Sequence, residues 1–191
     1  MTKVLNLLML FTFSLVITTQ AQDQTLFGGP NKLKITGAFG GFAYGYTSDF
    51  LYDSNIRNSF FGLEISNNFD IVLKRVQYDT GLYYETVSND LDIASRGLEF
   101  VYRPMEQRVI HPYMSILVSR GKIRDDHFDV KDKVGVFQPR LGFEINALKF
   151  FKLNLNVGYN HVDGVDLTGF SGEDFSGGFG EISFKFGGFW N

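Results

Sequence analysis

The chain has no cysteine among its 191 residues. That excludes a disulfide scaffold, thiolate metal sites, and a lipid anchor of the kind built on a cysteine at the cleavage point. Proline occurs four times, tryptophan once, and the three histidines are too few for a histidine-rich metal site. A dominant charge sign is also missing. The 18 Lys and Arg face 21 Asp and Glu for a net charge of −3, which gives no footprint for nucleic acid. Beyond the first residues, no stretch is long and apolar enough to cross a bilayer as a helix, so any membrane span must be built from strands.

What is present begins with an export signal. Lys3 is followed by an apolar run from Val4 to Ile17 and by the small-residue site Thr19-Gln20-Ala21. The run, about 14 residues, falls short of the ~20 that span a bilayer. Residues 1–21 therefore read as a cleaved signal peptide and residues 22–191 as one domain. Within that domain the clearest pattern is Phe151 to His161. Phe151, Leu153, Leu155, Val157 and Tyr159 take one face, and Lys152, Asn154, Asn156, Gly158 and Asn160 take the other. Side chains of a strand alternate between faces, so one face suits lipid and the other a narrow, wet lumen. Glycine and phenylalanine, 21 of each, suit a tight interior and a lipid-facing surface respectively.

The same period predicts eight strands. The first covers Lys32 to Tyr46, with Leu33, Ile35 and Phe39 on one face and a slip at Gly40-Gly41 to Phe42, Tyr44 and Tyr46, as a bulge would produce. The second runs from Phe60 to Leu73, with Phe61, Leu63, Ile65, Phe69, Ile71 and Leu73 outward. A tight turn at Lys74-Arg75 leads to the third, with Val76, Tyr78, Thr80, Leu82 and Tyr84 outward. The fourth, Ile93 to Arg103, shows Leu98, Phe100 and Tyr102. The fifth, Tyr113 to Lys122, leaves two faces in competition, Met114, Ile116 and Val118 against Tyr113 and Leu117. The sixth, Gly135 to Asn146, puts Phe137, Leu141, Phe143 and Ile145 outward but contains Pro139, which removes a ladder hydrogen bond. The seventh is the segment above, and the eighth, Gly178 to Trp190, carries Ile182, Phe184, Phe186 and Trp190. Connections that are mostly long and polar (47–58, 88–92, 123–133, 162–177) alternate with a set that is mostly short (74–75, 104–112, 147–150). Even strand number and alternating loop length are the pattern of outer-membrane barrels with short periplasmic turns. The expected fold is all-β, an eight-stranded antiparallel up-and-down transmembrane β-barrel with periplasmic termini.

Alternation alone does not say which face is inside, and a soluble lipocalin-like periplasmic barrel has the same period with apolar residues inward. Two features favour lipid outside. The polar face is rich in Gly, Asn, Ser and Gln with few charges, and aromatics gather toward strand ends, as at Tyr46, Phe61, Tyr84, Tyr102, Phe151, Tyr159 and Trp190, like interfacial girdles.

The chain resembles the small outer-membrane β-barrels of the OmpA/OmpX type, over the whole domain and in pattern more than in motif. The sharpest piece is the end, Gly180-Glu-Ile-Ser-Phe-Lys-Phe-Gly-Gly-Phe-Trp190. It is similar to the final-strand signal read by barrel-assembly machinery, with Phe184, Phe186 and Trp190 as its aromatics, though Asn191 follows the terminal aromatic. Gly158 to Phe170 is similar to last-loop sequences of such barrels. The resemblance implies a fold and a location, but no activity.

Four constellations are candidates for function. Strand phase points Glu64, Asp79, Glu85, Glu99, Arg103, Arg140, Glu144, Lys152, Glu181 and Lys185 into the lumen, where charges must pair; a structural plug is expected there, since eight strands leave an interior just wide enough for side chains. A basic cluster, Arg96, Arg120, Lys122 and Arg124, is expected at the outer rim, where lipopolysaccharide phosphates are the natural partner. Acidic residues crowd the outer connections (among them Asp49, Asp53, Asp125, Asp126, Asp132, Asp163, Asp166, Glu173 and Asp174) without the spacing of a compact calcium loop. His161 with Asp163 and Glu173 is similar in position to the catalytic His-x-Ser of lipid A deacylases, but Asp163 stands where that family needs its serine. No glycine-rich phosphate loop follows a strand and opens a helix, so no cofactor, metal or nucleic acid is expected. The reading is a non-enzymatic outer-membrane barrel with a structural, surface-interaction or complex-accessory role. Its expected partners are outer-membrane lipid and lipopolysaccharide, the barrel-assembly machinery and other outer-membrane proteins. A lipid A-modifying hydrolase and a soluble binding barrel are the competing classes.

Overall fold

The structure is a computed structural model and describes residues 34–48, 54–65, 68–81, 90–105, 108–125, 130–166 and 171–189. Eight strands follow in chain order: β1 (Ile35–Ser48), β2 (Ser54–Ile65), β3 (Phe69–Gly81), β4 (Asp90–Tyr102), β5 (Ile110–Asp125), β6 (Val130–Leu148), β7 (Phe151–Asp163) and β8 (Gly177–Phe189). A 3₁₀ turn, Gly172–Phe175, precedes β8. Each strand pairs antiparallel with its neighbours, and β8 pairs with β1 to close the barrel. Closure removes both sheet edges, so every strand finds partners for its backbone on two sides.

The register fixes the shape. A circuit of paired residues from Gly37 passes Glu64, Asp70, Val101, Ser115, Arg140, Gly158 and Phe179 and returns at Thr47, ten residues farther along β1. Strands with that stagger must tilt, at about 35–45° for barrels of this kind. Each lateral step from β1 toward β8 therefore climbs slightly more than one residue toward the end bearing connections 49–53, 82–89, 126–129 and 164–176. We call this the loop end. Connections 66–68, 103–109 and 149–150 lie at the opposite, turn end.

Outside, one alternate set of residues forms a band of exposed apolar side chains. It includes Phe42 and Tyr44, Ile71 and Leu73, Leu98 and Phe100, Ile116 and Val118, Leu141 and Phe143, and Leu155 and Val157. Inside, the other set is buried.

Several sequence expectations are corrected. Phe39 is fully buried in the lumen, and the registers of β1 with both neighbours run unbroken from Gly37 to Thr47, so there is no slip at Gly40-Gly41. The ring fits because Gly62, its lateral partner on β2, has no side chain; a Cβ there would stand 2.4 Å from Phe39 Cζ. The irregularity lies instead between Ile35 and Gly37.

The expected turn at Lys74-Arg75 is mid-strand in β3. The chain reverses at 66–68, where Asn68 takes a left-handed φ of 68°, a conformation asparagine tolerates. A three-residue reversal leaves odd-numbered positions on the outer face of both strands, so the alternation from Phe61 to Leu73 crosses it without a break. Val76 and Tyr78 consequently face the lumen, not lipid. The phase that assigned Asp79 inward fails with them; its backbone pairs with Asn55 and Asp92, and its side chain lies outside the described residues.

In β5, Met114, Ile116 and Val118 face outward while Tyr113 and Leu117 are buried, which resolves the competition between its faces. Pro139 remains within β6, paired with Ile116, and the β6–β7 ladder has no pair at Gln138 or Pro139. The missing N–H is thus accommodated by a local gap. Residues 1–33, Leu82, Tyr84, Glu85 and Trp190 lie outside the described residues.

Candidate functional site

Among the described residues the lumen holds five buried acids, Glu64, Asp70, Glu99, Glu144 and Glu181, and five buried bases, Lys74, Arg103, Arg140, Lys152 and Lys185. They fall into two linked clusters. Nearer the turn end, the Arg103 guanidinium lies 2.8 Å from Glu64, 2.5 Å from Asp70 and 3.5 Å from Glu144. Lys185 Nζ is 2.5 Å from Glu144 and 3.5 Å from Asp70, and Lys152 pairs with Glu64 and Glu144. His111, fully buried, places Nε2 3.2 Å from Glu144 and Nδ1 3.0 Å from the Arg108 carbonyl oxygen.

Higher up, Glu181 is 3.1 Å from Lys74 and 2.9 Å from Arg140, and Asn58 donates to it. Glu99 is 3.4 Å from Lys74 and accepts a 2.7 Å bond from Ser115 Oγ. Lys185 also stacks over Phe39 at 4.8 Å and Arg140 over Phe179 at 5.0 Å. Balanced charge matters because an unpaired ion in such a site costs several kcal/mol. Asp70, Lys74 and His111 were missed by sequence reasoning. Lys74 lay inside the misplaced turn and His111 in a segment read as a proline-bounded turn, while Asp70 alternates with the outward Phe69 and Ile71 of the predicted second strand, so parity alone points it inward.

Above these clusters the lumen turns apolar, contrary to the expectation of a polar face throughout. Ile56, Val76, Ile93, Leu117, Ile123, Val134, Val136 and Val162 form one buried cluster, capped by Phe175 from the 3₁₀ turn and by Phe179. Hydrogen bonds hold that turn over the opening: Asn160 Nδ2 donates to the Phe175 carbonyl at 2.9 Å, and the Val162 N–H donates to Ser176 Oγ at 2.9 Å. The cavity bounded by Phe60, Lys74, Glu99, Tyr113 and Lys185 measures about 20 Å³, space for about one water molecule.

Outside, a second arrangement emerges near the loop end. Arg75, Arg96 and Arg120 all point outward and are direct lateral partners on β3, β4 and β5. Arg57 on β2 is also exposed. After allowance for the climb of the rows, all four stand within about two residues' rise of Tyr46 and Tyr159, which mark the upper edge of the apolar band. Lys122 and Arg124 point outward farther up β5, beyond that edge. The structure thus separates the four expected basic residues into two levels and adds Arg75 and Arg57, which the misplaced turn and an overlong first loop had hidden.

Directly below this row runs an exterior groove of about 750 Å³, with small residues such as Gly40 and Ser59 in its lining, Phe42, Phe61 and Leu73 among its apolar wall, and Arg75 with Arg96 at its edge.

Three of the loop acids serve local structure. Asp174 accepts from the Ser171 N–H at 2.6 Å and from its hydroxyl at 3.0 Å in a capping box, Asp163 accepts from the Gly164 N–H at 2.8 Å, and Asp132 accepts from the Lys133 N–H at 2.7 Å. Among the described residues no group of three metal-ligating side chains occurs. His161 is exposed opposite Phe137. Phe184 and Phe186 pack at the closing seam, with ring centroids 5.1 and 6.1 Å from Phe42.

Comparison of the sequence with protein-family models gives no match, and comparison with curated proteins gives none either. Comparison of the fold with solved structures gives Neisserial surface protein A (NspA), with a TM-score of 0.59 and 16% identity over 78% of this chain and 95% of that one. It also gives Ail, the attachment invasion locus protein of Yersinia pestis, with a TM-score of 0.49 and 15% identity over 78% and 95%. With eight strands, a closed antiparallel order and an apolar exterior, this chain has the fold of the small outer-membrane β-barrels.

Proposed function

We propose that the chain is a non-enzymatic, non-conducting barrel of the outer membrane that acts through its lipid-facing surface and loop end. The observation that carries this reading is the filled lumen: ten paired charges below an apolar tier, with a cavity of about 20 Å³ between their side chains. A hydrated ion has no route through such packing without breaking buried pairs at several kcal/mol each. The non-enzymatic part is supported by Asp163, which stands two residues after His161 where the His-x-Ser of the deacylases has its serine.

The short connections and both ends of the described chain share one side, the side that faces the periplasm in this reading. Phe184, Phe186 and Trp190 serve the assembly machinery as the closing-strand signal, and the luminal ions hold the barrel rigid. Partners are outer-membrane lipid, lipopolysaccharide and other outer-membrane proteins. The test is single-channel recording of the folded protein in planar bilayers beside a known porin. No conductance steps are expected; steps that scale with protein added would overturn the reading.

A further inference from the structure

We infer that the exterior groove of β1–β4 binds one phosphorylated, acylated lipid of the lipid A class, with an acyl chain along the groove and a phosphate on Arg75 and Arg96. This rests on the proposed lipid-facing exterior and names the ligand of that face.

Three observations carry it. First, Arg75, Arg96 and Arg120 are direct lateral neighbours, and like charges placed opposite one another on a sheet repel. No carboxylate among the described residues pairs with any of them. Three unpaired like charges side by side at the edge of the apolar band are relieved by an anion from outside the chain. Second, the apolar band is low at this sector. Above Phe61, Leu73 and Leu98 the outward residues are Ser59, Arg75 and Arg96, while β1 and β7 continue upward through Tyr46 and Tyr159. Guanidinium groups therefore sit where a headgroup reaches down, not out among the loops. Third, the groove opens directly beneath them, at Gly40, where a Cβ would meet only the Phe60 carbonyl oxygen at 3.6 Å. A phosphate takes two guanidinium groups in bidentate geometry, and the apolar walls below suit hydrocarbon. The occupant is thus one molecule with both parts.

The test is native mass spectrometry of the full folded protein in detergent, titrated with bisphosphorylated lipid A, dephosphorylated lipid A, and phosphatidylglycerol. Wild type should hold bisphosphorylated lipid A at least about tenfold more tightly than either other lipid, since each arginine–phosphate contact is a charge-assisted bond. The double variant Arg75→Gln/Arg96→Gln should lose that preference, and Ser59→Leu, which fills the groove from the lipid side, should weaken binding of every acylated probe. Lys149→Gln, at the turn end, should match wild type. Folding of each variant is checked by its heat-modifiable band on gels. Equal retention of lipid A by wild type and the double variant would overturn the inference, as would equal binding of phosphatidylglycerol. A probe at Leu155 reporting lipid alongside such a result would leave the barrel reading intact and remove only this site.

Discussion

Replacing Arg103 by methionine removes the guanidinium that three luminal carboxylates share. Arg103 is fully buried, with 2.8 Å to Glu64, 2.5 Å to Asp70 and 3.5 Å to Glu144. Methionine fills part of the same volume but offers no charge, leaving Lys152 and Lys185 as the cations beside three acids. Removing one partner of a buried pair typically costs about 3–5 kcal/mol. That is a large part of the ~5–15 kcal/mol that holds a domain together. The loss is read as the urea midpoint for conversion of the compact to the extended gel band, after folding into lipid vesicles. With a denaturant slope of about 1–3 kcal/mol per molar, the midpoint should fall by roughly 1 M or more. A second arm isolates charge from shape. Asp70→Asn in the Arg103→Met background removes one orphaned carboxylate and should return at least about 1 kcal/mol, a coupling that a double-mutant cycle measures. An Arg103→Met protein within about 1 kcal/mol of wild type, or no recovery on adding Asp70→Asn, would refute the account of the lumen as a mutually neutralised network.

Three further outcomes follow from the packing. A spin label at Leu155, exposed on β7, should be quenched by lipid-soluble oxygen, whereas one at Asn154, 3% exposed, should be shielded from it; the reverse would turn the sheet inside out. Gly62→Ala places a Cβ against Phe39 Cζ at 2.4 Å and should destabilise by about 1–3 kcal/mol, with Phe39→Leu restoring part of the loss in the same unfolding assay. Phe175→Ala removes the ring that caps the apolar tier, and about 3–5 kcal/mol of stability should go with it. Limited proteolysis should then cut near Gly172–Phe175 first, and unchanged protection would count against the cap.

Much of this barrel was determined by sequence alone because its signal is local. Lys152, Asn154 and Asn156 alternate with Leu153, Leu155 and Val157, and a strand puts successive side chains on opposite faces whatever lies around it. The same holds for β4 and β8, and strand parity was enough to point Glu64, Glu99, Arg103, Arg140, Glu144, Glu181 and Lys185 inward. What parity cannot report is a connection that preserves it. The reversal at 66–68 keeps odd positions outward on both sides, so β2 and β3 read as one strand, and only lateral pairing of Ile65 with Phe69 separates them.

Lys74 and Arg75 then exchange a turn for opposite faces of the wall. One enters the ion network and the other joins Arg96 and Arg120. Nor does alternation say which inward residues meet. Phe39 lies inside because Gly62 leaves room for it, and Arg103 meets Asp70 across 33 positions of chain. The sequence therefore decided which face each well-phased residue takes, since that depends on the residue and its immediate neighbours. The tertiary structure decided the strand boundaries, the ion pairs and the arginine row, since those depend on a ten-residue stagger accumulated around a closed sheet, a quantity no single segment contains.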